Sequence, residues 1–185
     1  FQVLRDVDGD GRSSSFPSIG KITRMLKHGD LDAVLLALPL QEENIKEYEL
    51  YTEPFLFAVA ADHPKARLKS VSTDDLQDEE VLLLEDGHCR RDQALAVCQS
   101  HRGIESTSYS ATSLETLRQL VAANRGITLM PELAVPAKLD HDAGVRYLPF
   151  IGDVPSRTLG LCWRSSSTRS SLLADLAQSL RQLLN

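Results

Sequence analysis

The sequence of 185 residues is short of the features that define several protein classes. It has no run of about 20 apolar residues, the length a bilayer-crossing helix needs. Its most apolar stretches, Ala33 to Leu38 and Val81 to Leu84, are strand-sized, so no contact with a membrane is expected. Cysteine is scarce: three residues, unevenly spaced, do not make a disulfide framework. A cytoplasmic location is therefore expected, and any cysteine chemistry must be switch-like or catalytic. Basic charge is also in deficit, with 20 Lys and Arg against 26 Asp and Glu and a net charge of -6. Phosphate neutralisation needs clustered cations, so a nucleic-acid surface on this chain is not expected.

Several motifs are missing as well. Phe1 to Arg12 lacks the basic-then-apolar order of a secretory signal. There is no Walker loop, no GxGxxG and no G-x-S-x-G elbow, so no cofactor is expected. The histidines at 28, 63, 88, 101 and 141 form no i,i+4 pair, and no metal is expected either. Asp6, Asp8, Asp10 and Gly11 copy half of a calcium loop, but its twelfth position falls on Pro17 instead of a bidentate acid. The segment reads as a polar turn.

What is present is an average globular composition, 42% hydrophobic and 25% charged. From Lys21 the pattern becomes regular. Ile22, Met25 and Leu26 have helical spacing, Gly29 suits a helix end, and Leu31 to Leu38 reads as a buried strand. Phe55 to Ala60, Val81 to Leu84, Ile127 to Met130, Tyr147 to Phe150 and Thr158 to Trp163 read as further strands. Between them, Ser72 or Thr73 opens a short helix, and Glu132 to Ala137 forms another, broken by Pro136. Thr112 to Glu115 has the capping-box pattern, with Leu114, Leu117 and Val121 as the buried stripe behind it. The last helix is expected from about Thr168 to Leu184, with Leu172, Leu176, Leu180 and Leu184 along one face. The paired acids Asp74-Asp75 and Glu79-Glu80 are expected on solvated connectors. This alternation predicts an α/β fold with a parallel or mixed sheet covered on both faces.

The most informative segment runs from His88 to Cys98. As a helix it would separate Cys89 and Cys98 by about 13.5 Å along the axis and turn them about 180° apart. A disulfide needs Cα atoms within roughly 7 Å, so a bridge between them would require the helix to unwind. Cys89 would lie at the helix start, where the dipole and the neighbouring His88, Arg90 and Arg91 favour a thiolate. Cys98 follows Ala94 to Val97, a less polar setting. Peroxide converts a thiolate to a sulfenic acid, which a second thiol condenses into a disulfide. Spacing alone leaves two readings open, a redox switch or two small core residues. Cys162, beside Trp163 in an apolar strand, reads as core.

The segment Glu85-Asp-Gly-His-Cys-Arg-Arg-Asp-Gln93, with Ala111 to Arg118 and Gly126 to Pro131, resembles the C-terminal regulatory domain of the OxyR family. These are hydrogen-peroxide-inducible activators among the LysR-type transcription regulators. The resemblance implies a two-lobed domain like a type 2 periplasmic binding protein, with mixed sheets. Residues 1–51 plus 159–185 would form lobe I, and residues 52–158 lobe II with the redox cysteines. Because residues 1–20 do not resemble the family's opening strand and helix, lobe I is expected to lack those elements. The family's threonine and histidine positions near the cysteine fall here on Ile19 and Ser108.

The resemblance further implies that Cys89 is oxidised by peroxide and then bonded to Cys98, with a change of conformation. Arg157 falls on the family's arginine near the reactive sulfur, joining His88 and Arg91 as thiolate-stabilising groups; the other reading of Arg157 is an exposed loop charge. Implied partners are hydrogen peroxide as signal, a second copy through the regulatory domain, and a glutaredoxin-type reductant. DNA and RNA polymerase would be contacted only by the full-length regulator. The chain would not be an enzyme, and no C-x-x-C motif supports a thiol oxidoreductase. The alternative is a small-molecule-binding LysR-type effector domain with incidental cysteines.

Overall fold

The computed structural model describes residues 19–84, 104–111, 113–135 and 144–184, with no side-chain detail at 104–110. The segment from His88 to Cys98 read as a helix, and the polar turn at Asp6 to Gly11, lie outside these residues. The chain divides into two compact units: residues 1–52 with 158–185, and residues 53–157. No helix among the described residues is long and apolar enough to cross a membrane.

In the first unit, helix α1 (Ile19–His28) buries Ile22 and Leu26, four residues apart on one face. It ends where Gly29, at φ 88°, donates its N–H to the Met25 carbonyl. Strand β1 (Val34–Leu38) pairs antiparallel with β7 (Ser156–Arg164), matching Val34 with Cys162 and Leu38 with Thr158. Successive side chains of β7 face opposite ways. Cys162 joins Ile22, Leu26 and Leu36 in one core, whereas Leu161 and Trp163 join Leu173 and Ala177 of helix α3 (Ser170–Leu184) in another. The two helices thus cover opposite faces of the pair. Gly160 is obligatory in β7, since a Cβ there would lie 2.9 Å from the Tyr48 carbonyl oxygen and collide with Leu38.

The second unit is built on the last part of strand β2 (Ile45–Ala60), which pairs antiparallel with β5 (Thr128–Pro131) and with β6 (Val145–Pro149). Phe55, Phe57 and Val59 enter one core, with Leu76, Ile127 and Phe150. Ala58 enters the other, with Leu82, Met130, Leu117 and Val121. Strands β3 (Glu80–Leu84) and β4 (Ile104–Ala111) pair in parallel, so the sheets are mixed. Helix α2 (Leu114–Ala122) packs on the second core. Strands β2 and β7 each contribute residues to both units.

Four local expectations change. The α2 cap is Ser113, not Thr112: its hydroxyl accepts the Thr116 N–H at 3.1 Å. The buried row of α3 is Leu173 and Ala177, and Leu172 is 63% exposed because the helix is rotated by one residue from the expected face. Residues 45–54 and 104–111 are strand, beyond the stretches read as such. The paired acids do more than meet solvent: Asp75 accepts the Ser72 N–H at 2.7 Å, and Glu79 pairs with Lys65 at 2.8 Å.

Candidate functional site

A buried ion pair in the second unit gathers the described groups with most chemical potential. Glu53-Pro54-Phe55 on β2 meets Ser156-Arg157 at the start of β7 and Pro155 just before it, where the Phe55 N–H donates to the Pro155 carbonyl at 2.8 Å. Glu53 is 0% exposed and Arg157 9%. The Arg157 Nε–H donates to Glu53 Oε2 at 2.5 Å, and Nη2 lies 2.5 Å from the same oxygen in the ion pair. Glu53 Oε1 accepts the Leu133 N–H at 2.9 Å, from the 3-10 turn Glu132–Ala134. The guanidinium also lies 5.9 Å from the centre of the Phe55 ring.

Such a carboxylate is stable in a dry site only because a cation and a backbone donor satisfy it. The pair therefore fixes a planar cation in a low-dielectric setting, where its field on a neighbouring anion is less screened than in water. Arg157 is consequently not an exposed loop charge. Cys89, Cys98, His88 and Arg91 lie outside the described residues. Sequence reasoning passed over Glu53, although it continues the face of β2 that carries Phe55, Phe57 and Val59. A charge in step with an apolar row signals a buried partner.

The remaining thiol behaves as expected. Cys162 is 0% exposed and unbonded, and burial, followed by the nearby Glu47 charge, pushes its thiol up to about 12. Among the described residues no group of three or more His, Cys, Asp or Glu could hold a metal ion. An apolar cavity of about 10 Å³ lies among Phe55, Leu82, Leu117 and Leu129. That volume is about one water and holds no organic ligand.

Comparison with known proteins gives a consistent picture. The family of LysR substrate binding domains matches residues 18–185. The DNA-binding transcriptional dual regulator OxyR of Escherichia coli K12 is 47% identical over 161 residues, which is 87% of this chain and 52% of that protein. A probable hydrogen peroxide-inducible genes activator of Mycobacterium avium is 36% identical over 167 residues, 89% of this chain and 53% of that protein. The chain thus spans about half the length of these curated relatives. Among solved structures, the reduced form of OxyR superposes with a TM-score of 0.79 at 44% identity, covering 90% of this chain and 77% of that one. The oxidised form gives 0.79 at 46% identity, covering 90% and 78%. The chain belongs to the LysR substrate-binding domain family and, within it, to the OxyR regulatory domains.

Proposed function

We propose that the chain is the peroxide-sensing regulatory domain of a LysR-type transcription activator, with Cys89 as the reactive thiol and Cys98 as its resolving partner. The Cys89 thiolate attacks one oxygen of hydrogen peroxide, the O–O bond breaks, and Cys89 becomes a sulfenic acid while hydroxide leaves and takes up a proton as water. The Cys98 sulfur then attacks the Cys89 sulfur, forming the disulfide and releasing a second water. Two electrons leave the thiol pair and reduce one peroxide. Arg157, with His88 and Arg91, favours the thiolate form that starts the sequence.

The observation that carries this reading is the match over most of the chain to hydrogen peroxide-inducible activators, on a chain whose sequence holds Cys89 and Cys98 nine residues apart. The disulfide changes the conformation of the domain and its packing against a second copy. DNA and RNA polymerase contacts belong to the full-length regulator, and a glutaredoxin-type dithiol resets the switch in the cytoplasm. The domain acts as a sensor and not as an enzyme, each peroxide leaving it in an oxidised state. The test is modest peroxide on reduced protein, followed by disulfide mapping by mass spectrometry. A Cys89–Cys98 linkage, reversed by a glutaredoxin system, is expected. Oxidation of Cys89 without that linkage refutes the proposal.

A further inference from the structure

Arg157 has been read through its charge, but the geometry around it depends on a second residue. Its Nε and Nη2 both point at one oxygen of Glu53, whose other oxygen is held by the Leu133 backbone N–H. Phe55, two residues on from Glu53 on the same strand face, stands beside the guanidinium. A guanidinium is planar and donates only within its plane, so the position of Glu53 Oε2 against both Nε and Nη2 sets where that plane lies. The carboxylate is itself fixed from three sides, by β2, by β7 and by the turn after β5.

We propose that Glu53 is the positioning residue for Arg157, fixing the place and plane of the guanidinium and so setting how strongly Arg157 favours the reactive thiolate. This rests on the reading of Arg157 as a thiolate-stabilising group. Glu53 acts through geometry. As a charge it opposes the thiolate, since a carboxylate draws on the same cation. A positioning role and a charge role therefore predict opposite signs when the contact is loosened.

The experiment is the pH profile of Cys89 alkylation by iodoacetamide, in a Cys98→Ser background. Buried Cys162 does not compete. Glu53→Asp keeps the charge but withdraws it by about 1.5 Å, one carbon-carbon bond. Arg157→Ala tests the underlying reading, and circular dichroism on each variant establishes that it is folded. Arg157→Ala should move the midpoint upward, and Glu53→Asp should move it the same way, by about half a pH unit or more. Arg157→Lys, which keeps the charge but loses the fork, should also move it upward. If Arg157→Ala shifts the midpoint while Glu53→Asp leaves it unchanged or lowers it, the positioning role falls and the reading of Arg157 stands. If Arg157→Ala shifts nothing, both fall. A Glu53→Asp protein that melts earlier but keeps the wild-type midpoint marks a purely structural carboxylate and also overturns the proposal.

Discussion

Removing both members of the Glu53–Arg157 pair should destabilise the protein by clearly less than the sum of the two single removals. The two side chains are 0% and 7% exposed, so neither ion can recover its hydration if the other is lost. Truncation of one partner of a buried pair typically costs about 3–5 kcal/mol. Glu53→Gln also weakens the acceptor of the Leu133 N–H, adding about 1 kcal/mol. Arg157→Met leaves the carboxylate buried without a cation and belongs in the same range. In the double variant Glu53→Gln/Arg157→Met no uncompensated charge remains, and the loss should fall below the sum of the singles by at least about 2 kcal/mol. Urea unfolding followed by far-UV circular dichroism measures all four proteins. For a chain of this size the single changes correspond to a fall in Tm of about 6–20 °C. Additive losses, or an Arg157→Met cost under about 1 kcal/mol, would refute the picture of a dry, mutually dependent pair.

Two further outcomes test the other unit. Cys162 in the fold keeps its proton up to about 12, whereas an unfolded thiol releases it near 8.5. This contribution is fully present below about pH 8.5 and declines as pH rises toward the folded value, by up to about 1.4 kcal/mol per pH unit. Urea midpoints between pH 8 and 10 should therefore fall more steeply for wild type than for Cys162→Ala; equal slopes would contradict the assignment. On helix α3, Leu173→Ala should cost about 2–5 kcal/mol and Leu172→Ala less than about 0.5, read from thermal melts. Equal costs would mean the helix buries a different face.

The sequence spoke most clearly where periodicity and local chemistry agreed. The stop at Gly29, the short helix after Ser72 and the strand before Pro131 each combine an apolar pattern with a residue of restricted or permissive backbone, and each is found in place. Strand β4 escaped notice because Ile-Glu-Ser-Thr-Ser-Tyr-Ser-Ala has no clear alternation. Its extended state comes from parallel pairing with β3, a partner some twenty residues earlier in the chain. The first half of β2 was hidden for another reason: Lys46, Glu47 and Glu49 are exposed, so half of its pattern is charge. At the site, Arg157 was legible through family resemblance but its burial was not. Burial depends on Glu53, 104 residues away, and no local pattern encodes that distance.

The same carboxylate bears on how β2 finds its place. A slip of one residue would exchange Phe57 with Ala58 between two cores, and packing alone rejects it. A slip of two residues is different, because it returns every side chain to its original face, and the apolar row of Phe55, Phe57 and Val59 is nearly indifferent to it. Such a slip would carry Glu53 about 7 Å along the strand and strand Arg157 without a counter-ion. The ion pair is thus a register pin, rejecting the face-preserving misalignments that side-chain alternation alone does not detect.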